Sequence, residues 1–259
     1  MMQVHPSAVI EPGAKIGAGV RIGPLCVVGP DVVLGDGVEL KSHVVVQGDT
    51  EIGQGTLVFS FAVLGEVPQD LKYAGERTRL RIGSHNRIRE HVTMNLGTAG
   101  GGGETRIGNG GLFMAGCHVA HDAKVGDRVV VANCAAIAGH CEVGDDVVIG
   151  GLAGIHQWVR IGRGAMIGAL SMVTHDVLPH GLVQGPRGEL EGLNLIGLKR
   201  RGTPREDISA LRQAYQDLRD GEAPFQQKVR ALNGADSGMV REWAEFVQSA
   251  SDRQFLTPR

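Results

Sequence analysis

The chain has 259 residues, and its 26 Lys and Arg against 28 Asp and Glu leave a formal net charge of -2. That balance sets aside a general nucleic-acid binder, which should look basic. Aromatic residues make up only 4% while glycine reaches 40 residues, so the composition favours a repetitive β architecture over a sandwich packed on aromatics.

At the start, M-M-Q-V-H-P-S lacks the basic region and apolar run of a signal peptide. No uninterrupted apolar stretch reaches the length of about 18 residues that spans a membrane. The cysteines Cys26, Cys117, Cys134 and Cys141 form no C-x-x-C pair. A reduced, cytoplasmic protein is expected.

From Ile10 an aliphatic residue recurs every six positions, through Ile16, Ile22 and Val28 to Leu64. The beat returns at Ile82, Ile88 and Met94, then restarts one residue out of phase at Ile107 and runs to Val173. These are 25 hexads, and 13 carry glycine directly after the aliphatic residue, as a strand followed by a corner requires. The position two before the beat is small or β-branched, with Leu80 and Asn86 as breaks. Residues two apart on a strand share a face, so both positions point inward. Three hexads make a triangular coil of 18 residues, and coils stack at about 4.8 Å. The hexads resemble the hexapeptide-repeat left-handed parallel β-helix. That resemblance alone supplies the handedness, since parallel crossovers are otherwise right-handed in about 98% of cases.

The beat lapses over 65–81 and again in the glycine-rich 97–104, both expected to be loop excursions. The second lacks the lysine and helix of a phosphate-binding loop. The β-helix is expected over 1–186, with a helical domain over 187–259. In the latter, Thr203, Pro204 and Glu206 read as a helix start. Ile208, Leu211, Tyr215 and Leu218 then share one helical face. Two further amphipathic pieces contain Phe225, Val229 and Leu232, and then Val240, Trp243 and Val247.

Register also gives direction. Val119 points inward, so His118 points outward, and His121 and Asp122 fall on the following corner. Residues 18 apart stack, placing Gly139 over His121 and His140 over Asp122, with His156 and Gln157 one coil further. Cys26, Cys117 and Cys141 take the small inward slot, while Cys134 lies outside it without an assigned role. A strip gathering these histidines suits general-base catalysis, with a carboxylate fixing the tautomer and a glycine amide beside it for an oxyanion. A zinc site is the alternative, as in the similar gamma-type carbonic anhydrases. Their histidine pair is separated by five residues, however, whereas His118 and His121 are separated by three. A non-catalytic scaffold would not need converging histidines.

The segments E-V-P-Q-D-L-K-Y-A-G-E, H-V-A-H-D, A-G-H, I-H-Q and N-L-I-G-L-K-R-R-G occur in this order. Together they resemble the UDP-N-acetylglucosamine O-acyltransferases that open lipid A synthesis, over essentially the whole chain. The resemblance implies transfer of an (R)-3-hydroxyacyl group from acyl carrier protein to the 3-hydroxyl of UDP-N-acetylglucosamine, without cofactor or metal. His121 would be the general base, Asp122 its orienting partner, and the Gly139 amide the oxyanion donor. Asp70, Lys72, His118, His140, His156 and Gln157 would hold the substrates. Asn194, Arg200 and Arg201 would contact the nucleotide or the phosphopantetheine arm, or else K-R-R is a solvated charge run.

The family is a homotrimer with sites between subunits. Three positions depart from its pattern: Leu96 stands where arginine is frequent, Ile196 replaces a carboxylate of some members, and Ala169 occupies the place that limits acyl-chain length. A medium-length chain is expected from Ala169. Nearest among the rivals is the N-acyltransferase of the same pathway, which carries an extra N-terminal domain. Hexads beginning at residue 10 are expected to leave no room for one. A coenzyme A-dependent acetyltransferase fits the loop and tail motifs less well.

Overall fold

The computed structural model describes residues 3–220, 222–249, 251 and 253–258. The hexads fold into short strands, most of two residues, that visit three parallel sheets in turn. These sheets have 11, 9 and 8 strands. Face A starts with Gln3–Val4, face B with Val9–Ile10 and face C with Lys15–Ile16. Partners along a face are 18 residues apart, as in Val9↔Val27 and His118↔Ala136, so the faces enclose a triangular prism. The expected inward slots fill it: Val28, Val46, Val58, Ile88, Val119, Ile137 and Ile149 are fully buried.

The corners explain the conserved direction of the side chains within each coil. Fourteen non-glycine residues, among them Asp122 (φ 59°), His140 (φ 61°) and Trp158 (φ 67°), occupy left-handed backbone at corners. Such backbone is costly for an L-residue, but it lets each corner N–H reach the coil before it. His140 N donates to His121 O (3.1 Å) and Trp158 N to Gly139 O (3.1 Å).

Sequence and structure differ at three places. The first excursion is shorter than 65–81. Face B continues to Glu66 and face C resumes at Arg79–Ile82, so the loop proper is 67–78. Leu80 fits the small slot because its neighbours Thr50 and Thr105 are small, and all three are fully buried. Asn86 is also inward, and its side chain bonds Gly83 O, Gly108 O and Gly111 N. The 186/187 boundary falls in the turn of an antiparallel hairpin, Gly181–Gln184 with Glu189–Leu193, which still belongs to face A.

The α-helices among the described residues follow: α1 (Leu195–Arg200), α2 (Arg205–Asp220), α3 (Phe225–Ala231) and α4 (Gly238–Gln248). The α2 stripe of Ile208, Leu211, Tyr215 and Leu218 is buried as expected. Fully buried Trp243 on α4 donates from Nε1 to Pro179 O (2.9 Å), tying the helices to the end of the prism. No described helix is long and apolar enough to cross a membrane.

Candidate active site

Both excursions leave the prism at the edge between faces B and C, and the histidine strip lies on that edge. His121 Nδ1 is 2.8 Å from Asp122 Oδ2. The carboxylate is held from every side. Oδ2 also accepts from Thr98 Oγ1 (2.6 Å), Oδ1 accepts from Thr98 N (2.8 Å), and the Asp122 N–H donates to Thr105 Oγ1 (2.8 Å). A carboxylate that accepts only must receive His121 Nδ1–H, leaving Nε2 unprotonated as a base.

The register therefore directs His121 and Asp122 away from the prism core, yet they are 5% and 3% exposed rather than solvated. Their cover is the glycine-rich loop. A Cβ on Gly101 would lie 2.0 Å from Asp122 Cγ, so only glycine lets this backbone rest on the carboxylate. Glu76, at the end of D-L-K-Y-A-G-E, accepts from Ala99 N (3.2 Å) and joins the two loops.

Stacking places Gly139 against the His121 ring, where an added Cβ would approach Cε1 to 2.5 Å. Its N–H has no backbone acceptor among the described residues. Some of the matching N–H groups at the C–A edge are capped by side chains, as Asn109 N is by Asp127 and Asp127 N by Asp145. At the B–C edge the residue one coil beyond Gly139 is Gln157, which makes no such cap. The Gly139 donor stays open beside the base.

His140 lies edge-on to His121, with ring centroids 4.9 Å apart, and stacks on Trp158 at 3.9 Å. Burial holds its imidazole below the ordinary value, against the pull of Asp122, and the charges of Asp70 and Lys72 reach it with opposite signs. His118 bonds Thr93 Oγ1 through Nδ1 (2.7 Å), and burial, aided by His121, lowers it too. A cleft of about 270 Å³ opens beside Gly101, Asp122, His140, Trp158, Arg160 and Ser251. His121, Asp122 and His140 could together face a cation. The lone pairs of Asp122 Oδ2 are, however, already taken by His121 and Thr98, a poor starting point for a metal ligand.

The structure thus brings together His118, His121, Asp122, Gly139, His140, His156 and Gln157, with Asp70 and Lys72 nearby. The remaining candidates lie elsewhere on the chain. Asn194 caps α1, its side chain bonding Gly197 N and Gly164 O (both 2.9 Å), at the C–A edge. Arg201 is near His180 at that edge, where burial lowers its guanidinium, and Arg200 is exposed. Ala169 sits exposed at the A–B edge, next in the stack to Gly151. Leu96 is buried, and Ile196 is exposed. Buried Cys117 and Cys141 have thiols raised to about 12 by desolvation, consistent with structural roles, whereas Cys134 is exposed. Sequence reasoning missed Thr98, Trp158 and Arg253. The stacking rule could have found Trp158, which follows His140 by 18 residues.

A hexad prism with a His–Asp pair on one edge defines a hexapeptide-repeat transferase. The bacterial transferase hexapeptide model matches residues 13–48 and 140–175, and the model described as Udp N-acetylglucosamine O-acyltransferase, domain 2, matches 176–256. The acyl-(acyl-carrier-protein)–UDP-N-acetylglucosamine O-acyltransferase of Caulobacter vibrioides is 56% identical over 259 residues, 99% of this chain and 98% of that one. Its namesake from Paracoccus denitrificans is 63% identical over 203 residues, 78% and 77% of the two chains. A crystal structure of a UDP-N-acetylglucosamine acyltransferase superposes with a TM-score of 0.96 at 40% identity, covering 99% of each chain. The chain belongs to the acyl-carrier-protein-dependent UDP-N-acetylglucosamine O-acyltransferase family, and its fold is the left-handed β-helix.

Proposed function

We propose that the protein transfers an (R)-3-hydroxyacyl group from acyl carrier protein to the 3-hydroxyl of UDP-N-acetylglucosamine, the first step of lipid A synthesis. One observation carries the chemistry: a His121 ring oriented by Asp122 and flanked by the uncapped Gly139 N–H. His121 Nε2 takes the proton as the sugar oxygen attacks the thioester carbonyl. The Gly139 N–H stabilises the oxyanion. Collapse then breaks the C–S bond, and the proton on His121 goes to the departing thiolate. The sugar is itself the nucleophile, so neither an acyl-enzyme nor a metal is required.

His118, His140, His156, Gln157, Asp70 and Lys72 hold the substrates around this centre. Asn194, Arg200 and Arg201 contact the nucleotide or the phosphopantetheine arm, and Ala169 limits the acyl chain. These groups lie on three different edges of one prism, so no single copy gathers them. A homotrimer, in which an edge of one subunit meets a different surface of the next, brings them together three times. The relatives' substrates and the absence of a described membrane-spanning helix suit a cytoplasmic enzyme acting on a carrier protein and a nucleotide sugar.

Acyl transfer from 3-hydroxyacyl carrier protein to UDP-N-acetylglucosamine tests the reading. His121→Ala should lose roughly 10²- to 10⁴-fold in kcat. Full activity of that variant would overturn the mechanism, and an inactive wild type on every carrier length would overturn the assignment.

A further inference from the structure

The chain's last described segment crosses the B–C edge above the histidine strip. Fully buried Asp176 anchors it: its backbone N–H donates to Gln254 O (2.8 Å), its carbonyl accepts from Leu256 N (2.9 Å), and its Oδ2 accepts from Ser251 Oγ (2.6 Å). Arg160 braces the same carboxylate from Nε (2.7 Å) and reaches Ser249 Oγ (2.5 Å). Between the Ser251 and Gln254 anchors stands Arg253. Its Nη2 lies 2.7 Å from His156 Nδ1, and its Nε donates to Gln157 O (3.1 Å).

A guanidinium has donors only, so His156 Nδ1 must be the acceptor in that contact. The imidazole then carries its proton on Nε2. Nδ1 is also 3.2 Å from Gln157 O, an acceptor that would favour Nδ1–H in the absence of Arg253. The two acceptors face the same guanidinium, and only its presence keeps both satisfied.

We propose that Arg253 is a positioning residue that fixes His156 as an Nε2–H donor aimed at an oxygen acceptor of the bound substrate. The proposal rests on the acyl-transfer reading for its kinetic consequence but not for the tautomer. Arg253 brings to the third coil of the strip what Asp122 does for His121, with the opposite result. Asp122 makes Nε2 of His121 a base, and Arg253 makes Nε2 of His156 a donor. One edge thus presents an acceptor nitrogen and a donor nitrogen to one substrate.

Nitrogen-15 spectra of histidine-labelled full-length protein, without substrate, should show His156 protonated at Nε2 and bare at Nδ1. His156→Gln identifies the resonance. In Arg253→Ala the proton should move to Nδ1, and Arg253→Lys, which keeps a donor, should retain the Nε2–H form at least in part. In the transfer assay Arg253→Ala should lose roughly tenfold to a hundredfold in kcat/KM. Added to His156→Ala, the same substitution should cost less than about twofold, because the two act as a unit. An Nδ1–H tautomer in the wild type, or fully additive losses in the double variant, would refute the proposal. If the tautomer is as described but no acyl transfer is found, the reaction assignment fails and the Arg253–His156 link stands.

Discussion

Two imidazoles of the strip, His118 and His140, are held below their ordinary value by burial, and this makes stability depend on pH. The unfolded chain binds these protons at a higher pH than the folded one. The contribution is therefore complete above the unfolded pKa of about 6.5 and is lost as pH falls through the lower folded values. Urea unfolding at about pH 7.5 and about pH 5 measures the slope. His118→Gln, which can still bond Thr93, should flatten it. Ala169 tests the other end of the substrate. Ala169→Gly should shift preference toward longer 3-hydroxyacyl carriers, by about tenfold or more for the next methylenes. An unchanged profile across carriers of graded length would remove Ala169 from the acyl pocket.

At the level of elements, the glycine-rich loop over residues 97–104 is the cover of the Asp122 carboxylate. Gly101→Ala would drive a methyl into Asp122, whereas Gly100→Ala meets nothing within 4 Å. The first should lose activity by roughly 10²-fold or more through a displaced Asp122, and the second should behave as wild type. Equal behaviour of the pair in the transfer assay would mean the loop is not a cover. The sequence made part of this legible. A six-residue period converts directly into inward and outward positions, so Cys117, Val119, Gly139 and His140 were placed correctly by counting. Counting failed where the chain leaves the period. Nothing in G-T-A-G-G-G-G-E indicates that Thr98 caps Asp122 or that Gly101 lies on it, because those contacts depend on how the loop folds back. Arg253 was hidden for the same reason. It meets His156 through a tail some 97 residues away, with no repeat to supply its address.

On the scale of the whole molecule, the prism distributes its candidate residues over separate edges, and a site shared between subunits should complement in trans. Co-producing His121→Ala with Arg201→Ala, each weak alone, should form mixed trimers in which about a third of the sites combine an intact His121 with an intact Arg201. Activity restored toward that fraction, read on purified mixed assemblies, supports sites built from two copies. No recovery would place His121 and Arg201 in one subunit's site or in none.

The same stacking bears on how the chain finds its fold. Most strands pair with a neighbour 18 residues away, and the separation rises only to 30 across the first excursion and 25 across the second, as in Ile52↔Ile82 and Ile82↔Ile107. Closing a loop twice as long costs only about 0.6 kcal/mol more, so each excursion adds less than that to the search. The coils can zip from one to the next at low contact order, and the segments that cover the Asp122 carboxylate are gained at almost no kinetic penalty.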